Sequence, residues 1–193
     1  GWARERDPES RALPLNPTPV EHLAQIACRE ILLQLTGANI PVPELWVEPG
    51  RFIVGNASVL LATVGTGKRD LGMTWVNIDA GTNALPRIDT SGSAHHIVAA
   101  SGMRRPADCV VDIVGPICID SVMARDIPMP DLQRGDPIAI LDAGMYSESA
   151  STQFNSIPRP ATALVNGSTS ELIKRREQVE DLFRHHLIPN RLM

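Results

Sequence analysis

Apolar positions recur along this chain with two different periods. Leu23, Ile26, Ala27, Ile31 and Leu35 fall at helical spacing. Thr18 stands ahead of them as the expected N-cap, with Pro19 at the first helical position and Glu21 in the first turn, and Gly37 as the stop. Beyond that point the texture changes to short β-branched runs, RFIVGNASVLLATV, TWVNID, CVVDIVG and PIAILDA, separated by Gly, Pro and Asp. TALVN, before Gly167, adds another run, and residues 171–187 read as a strand end turning into a terminal helix. LWV, at 45–47, reads as a short strand closed by a tight turn at Pro49 and Gly50. The turn carries an acid, Glu48, expected on the buried side, and a base, Arg51. The predicted fold class is mainly β with flanking helices: one helix, a mostly antiparallel β domain, then a short helix. The first helix and LWV together look like one αβ step of a repeating α/β structure. Such a step is not stable by itself, because its strand needs parallel neighbours. We therefore divide the chain into residues 1–50, a lead-in plus that orphan step, and residues 51–193, the β domain with its terminal helix.

Composition narrows the functional classes. With 193 residues, 43% of them hydrophobic, the chain can bury an ordinary core. Fourteen glycines and sixteen prolines favour turns over a helical bundle. A net charge of −4 gives no electrostatic case for nucleic acid or an anionic membrane. No stretch approaches the ~20 apolar residues of a membrane span. Cys28, Cys109 and Cys118 are odd in number and widely spaced, making neither a disulfide framework nor a metal set, so a reducing cytoplasm is expected. The adjacent His95 and His96 would point opposite ways in an extended strand, so packing is expected of them rather than a metal pair. The start at Gly1 reads as that of a processed chain or a fragment.

Several segments are too polar for mere core: VNIDAGTNALPRIDTSG, VGPICIDSVMARD and LDAGMYSESASTQFNSIPRPA, the second carrying Cys118 and the third Tyr146, the single tyrosine. Each taken singly is an ordinary turn or solvated loop. Together with EPGRFIVGNASVLL, HHIV, VMARDIPMP and GDPIAILDAGMY, in this order across residues 44–187, they resemble the C-terminal part of the pyridoxal-phosphate decarboxylases built like alanine racemase, diaminopimelate decarboxylase above all. The resemblance implies the β-sandwich or barrel-like C-terminal domain of such an enzyme plus the last αβ step of its (β/α)8 barrel. It also implies a dimer or higher oligomer with active sites shared across the interface, and pyridoxal 5'-phosphate as cofactor. By resemblance, Glu48 faces the pyridine nitrogen, which suits a ring that must stay protonated to act as electron sink. Gly50 lets the backbone approach the cofactor phosphate, and Arg51 holds phosphate or a substrate carboxylate. Arg87 grips a substrate carboxylate, Tyr146 packs on the cofactor and bonds its phosphate, and Cys118 handles the proton at the reacting carbon. The plainer alternatives are a Glu48–Arg51 pair pinning a turn and Cys118 as a small buried hydrophobe.

The sequence also departs from the family pattern. Ile119-Asp120-Ser121 follows the cysteine where the family carries Glu-Ser-Gly-Asp, so the glutamate that reads the distal amino group is missing or replaced by Asp120. Ser91 stands where the family has a substrate tyrosine. Both point away from diaminopimelate and towards a modified or biosynthetic amino acid. The larger departure is the Schiff-base lysine. The chain has only Lys68, in what reads as the polar turn GTGKRD, and Lys174. Lysine and phosphate loop are therefore expected on a barrel elsewhere, on a missing N-terminal part or, as we expect, on a separate subunit forming a heterodimer with a chain inactive alone. The other readings are a non-catalytic scaffold or regulatory partner of a complete decarboxylase, a free-standing ligand-binding β domain, and a racemase.

Overall fold

The computed structural model describes residues 19–88, 95–102, 104–119 and 121–193. Helix α1 runs Val20–Gly37. Pro19, with φ −53° and ψ 140°, occupies the N-cap position expected of Thr18, and Thr18 itself lies outside the described residues. Gly37 is the last helical residue, but the stop is made two residues on. Asn39 turns left-handed at φ 53°. Ile40 N–H then reaches back to Leu35 O at 2.9 Å and Asn39 N–H to Thr36 O at 3.1 Å, which closes the helix end. No residue of α1 is buried. Leu23, Ile31 and Leu35 are half-buried, while Ile26 and Ala27, expected on the same face, are exposed.

Residues 40–49 belong to no helix or strand and join no sheet among the described residues, so LWV is not a strand here. A parallel strand without neighbours has no partners for its backbone groups, and Trp46 is 85% exposed. The tight turn expected at Pro49 and Gly50 is instead a helix start. Pro49 caps α2, Gly50–Val54, and its carbonyl accepts Ile53 N–H at 3.1 Å. Proline is at home where an N–H is not needed. The run RFIVGNASVLLATV is thus helix, a 3-10 turn at Gly55–Ala57, and only then strand.

The β domain is one mixed sheet of β1 (Leu60–Asp70), β2 (Met73–Ile78), β3 (Ile97–Ala99), β4 (Cys109–Val114), β5 (Val122–Met129) and β6 (Pro137–Ile140), in the order β3-β6-β1-β2-β4-β5. The edges β3 and β5 approach each other, so the sheet nearly closes. β1 serves two partners. Leu60–Thr63 pair with β6 and Val64–Asp70 with β2, the register shifting at Gly65. It runs on through Lys68, which therefore sits in a strand opposite Trp75 and not in a turn. The hairpin turn is Leu71-Gly72, both at positive φ (50° and 79°), the pairing that matches strand twist.

Ile78, Ile113, Ile138 and Ile140, from the three strands β2, β4 and β6, are fully buried together with Leu85 and Met129. Burying each such side chain is worth roughly 1.5–3 kcal/mol. Asp112 sits in this core strand because β5 bulges to meet it. Asp126, at φ 51°, donates its N–H to Asp112 Oδ1 at 2.9 Å. Arg125 pairs with the other oxygen at 3.6 Å. A second, two-stranded sheet joins β7 (Thr162–Asn166) to β8 (Thr169–Lys174) through Gly167. A short α3, Val179–Phe183, follows, ending earlier than the expected 187.

Candidate functional site

Strand directions collect the site. β1 runs antiparallel to both β2 and β6, and β2 runs parallel to β4. The C-terminal ends of β2, β4 and β6 and the N-terminal end of β1 therefore lie at one end of the sheet. Arg87 follows β2, Cys118 follows β4, Tyr146 follows β6, and α2 with Arg51 precedes β1. Residues far apart in sequence share an end because one parallel pair, β2–β4, is built into an otherwise antiparallel sheet.

Close backbone contacts lock these segments together. Ala143 N–H donates to Ser58 O and Gly144 N–H to Gly55 O, each at 3.0 Å, which docks α2 on the loop carrying Tyr146. A side chain on Gly144 would fall on the Val54 carbonyl, so only glycine permits the approach. Gly115 N–H closes the Cys118 loop by donating to Ser121 O at 2.7 Å. A Cβ on Gly115 would lie 2.6 Å from Gly81 Cα and 2.8 Å from Ala80 O, so the loops after β2 and β4 touch through backbone.

Two of the sequence-predicted residues meet directly. The Arg87 guanidinium carbon lies 4.6 Å from the centroid of the Tyr146 ring. Such stacking orients the guanidinium. Tyr146 is itself held at φ 53°. Cys118 is exposed, which removes its reading as a small buried hydrophobe, and its Sγ receives a hydrogen bond from Asn155 Nδ2 at 3.5 Å. Asn155 lies in the FNSIPRP segment, where its residue type carried no signal of its own. Glu48 is exposed, contrary to the buried-side position expected of it, because segment 40–49 joins no sheet among the described residues. Arg51 is half-buried. The position of a Cβ on Gly50 is open space, which leaves its backbone approachable. Ser91 and Asp120 lie outside the described residues. His95 Nδ1 lies 2.8 Å from Leu141 O, consistent with a packing role, and no group of metal-binding side chains occurs among the described residues.

The loop bearing Tyr146 and Asn155 is pinned from outside the main sheet. Glu148 bonds Lys174 Nζ and Thr162 Oγ1, both at 2.9 Å. Lys174 first, then Thr162, holds its carboxyl below the ordinary value. Glu177 accepts from Gln153 at 2.9 Å and from Arg159 N–H at 2.8 Å. The Gln153 amide, ahead of Arg159, keeps Glu177 below its ordinary value too. Arg159 also donates to Ser151 O at 3.0 Å.

Both lysines are engaged on the surface. Lys68 pairs with Asp70 at 3.4 Å over the Trp75 ring, and Lys174 is taken by Glu148.

The model for the family described as pyridoxal-dependent decarboxylase, C-terminal sheet domain, matches residues 26–144. The chain is 40% identical over 152 residues to a diaminopimelate decarboxylase of Archaeoglobus fulgidus, covering 78% of this chain and 36% of that protein. Against the Synechocystis diaminopimelate decarboxylase it is 32% identical over 180 residues, 92% of this chain and 38% of the relative. Among solved structures, diaminopimelate decarboxylase from M. jannaschii in complex with L-lysine superposes with a TM-score of 0.81 at 30% identity, over 93% of this chain and 41% of that one. The chain thus spans little more than a third of the length of the curated relatives it matches.

Proposed function

Since the chain belongs to the pyridoxal-dependent decarboxylases through their C-terminal sheet domain, we propose that it is the sheet-domain portion of an amino acid decarboxylase whose cofactor lysine and phosphate loop lie on a barrel outside these residues. The observation that carries the reading is the gathering of Arg51, Arg87, Cys118 and Tyr146 at one end of the sheet, with Arg87 stacked on Tyr146. On this reading residues 1–50 are a lead-in and the last αβ step of the barrel, and 51–193 are the β domain with its terminal helix.

The donor set suits the cofactor. Two guanidinium groups and a phenol match a phosphate and a carboxylate, while neither lysine stands where it could anchor an aldehyde. Pyridoxal 5'-phosphate, when bound, supplies an electron sink for the pair left as carbon dioxide departs. This chain's residues do the rest. Glu48 is offered to the ring nitrogen once the barrel covers segment 40–49. Gly50, Arg51 and the Tyr146 hydroxyl bind phosphate. Arg87 orients a substrate carboxylate, and Cys118 delivers a proton to the α-carbon. The assembly is a heterodimer or larger oligomer in which such sites are shared.

On the substrate side, Asp120 and Ser91 replace the glutamate and tyrosine expected for diaminopimelate. We therefore assign an amino acid with a modified distal end.

The test is carbon dioxide release from the assembled enzyme. Cys118→Ala should lower kcat by about 10²-fold or more, the scale of a positioned proton-transfer group, with cofactor absorbance unchanged. Parental turnover in Cys118→Ala would leave a non-catalytic scaffold as the better reading. A rate with diaminopimelate above that with every distally modified analogue would overturn the substrate assignment alone.

A further inference from the structure

We propose that Asn155 is a positioning residue that holds the Cys118 sulfur in place for proton transfer, an inference that rests on the catalytic reading of Cys118 above. The side chains come from different loops, after β6 and after β4, and meet with Nδ2 3.5 Å from Sγ. Cys118 sits exposed between Gly115 and Ser121, which are joined by Gly115 N–H on Ser121 O. A donor from outside the loop selects one orientation.

The other side of the contact is built for that task. Asn155, in the short turn Phe154–Ser156, has φ 56° and ψ 27°, and Ser156 follows at φ 57°. Non-glycine residues seldom adopt this conformation, and asparagine is among the few that tolerate it. The bend sits on a fastened loop. Thr152 N–H donates to Asn83 O at 2.9 Å, and Gln153 and Arg159 are both held by Glu177. A neutral amide fixes the thiol without adding charge. In the step itself the S–H bond breaks and a C–H bond forms at the α-carbon. The electron pair stays on sulfur, where the Asn155 N–H points, and solvent then returns the proton to the thiol.

Two substitutions separate this role from loop shape. Asn155→Gly keeps the left-handed backbone accessible and removes the amide. Asn155→Asp keeps shape and backbone but replaces the donor by an acceptor. In the assembled enzyme, both are expected to bind cofactor and keep KM within about twofold, and to lose kcat about ten- to a hundredfold, the scale of one hydrogen bond to a charged group. The loss should vanish in a Cys118→Ala background, the signature of two residues acting as one unit. Iodoacetamide labelling of Cys118, followed on its own peptide, should change rate in both variants. Parental kcat and parental labelling in Asn155→Asp would overturn the proposal, since loop shape would then be all that Asn155 provides. Altered labelling in both variants, with parental turnover in them and in Cys118→Ala, would keep the sulfur contact and instead overturn the catalytic reading of Cys118.

Discussion

The Arg87–Tyr146 stack joins two residues that the sequence offered as separate contacts, one for substrate carboxylate and one for cofactor phosphate. Their effects should therefore be separable by choosing which part of the tyrosine is removed. Tyr146→Phe keeps the ring under Arg87 and loses only the hydroxyl. We expect cofactor affinity to fall about ten- to a hundredfold, from one hydrogen bond to a charged phosphate worth roughly 1.5–3 kcal/mol, with substrate KM nearly unchanged. Tyr146→Ala removes the platform as well and should raise substrate KM too. Fluorescence titration of the cofactor and steady-state kinetics measure the two effects, and a Phe variant that binds cofactor like the parent would remove Tyr146 from the phosphate site. Motif order nominated the candidate residues one by one. Their pairing was not legible, because Arg87 and Tyr146 are brought together by sheet topology rather than by spacing. Asn155 was hidden for the same reason, as its partner sulfur lies on another loop.

Among elements, the runs rich in β-branched residues were legible and the interrupted ones were not. β2, β4, β6 and β7 fall where alternation and turn residues put them. β5 carries Arg125 and Asp126 in its middle, tolerated only because the bulge satisfies Asp112, and a single-strand pattern cannot show that. β3 is three residues long, too short for any period. The helix over Gly50–Val54 has a strand-like composition and is set by docking on the loop after β6. That loop makes a prediction about acid. Glu148 and Glu177 are both held below their ordinary 4.5, by Lys174 and by Gln153 respectively as the leading cause. Groups with lowered values in the folded state stabilise it fully above 4.5. They lose that contribution as pH falls below it through the lowered values. Amide protection of residues 145–174 should accordingly hold well above pH 4.5 and drop as the pH falls below it in the parent. It should change much less in a Glu148→Gln/Glu177→Gln variant. Equal pH dependence in both proteins would show that the clamp does not depend on these charges.

At the scale of the molecule, exposed apolar surface away from the sheet core includes the C-terminal segment, with Leu187, Ile188, Leu192 and Met193, and two further regions. One is α1 with segment 40–54, where Ile26, Leu33, Trp46 and Ile53 are exposed; the other is the β7–β8 hairpin with Leu164, Val165, Leu172 and Ile173 exposed. Patches of this kind mark surfaces that something covers. These 193 residues expressed by themselves should self-associate or melt without a cooperative transition, and a barrel partner should give a single species with a higher melting temperature. Size-exclusion and thermal melts decide it, and a cooperative monomer would count against the barrel. Borohydride reduction with cofactor should label neither Lys68 nor Lys174, and a label on either would undo the assignment of the lysine to the barrel. The double pairing of β1 carries a consequence for synthesis. Its second half can zip onto β2 within roughly 1–10 μs of emerging, the time of a hairpin. Its first half must wait for β6, whose strands pair Leu60 with Ile140. At roughly 5–20 residues per second on a ribosome, that wait lasts several seconds. During it, Leu60, Leu61 and Ala62 present an unpaired apolar edge to every other nascent chain nearby, so this short stretch is where a chaperone would find its handle on the growing protein.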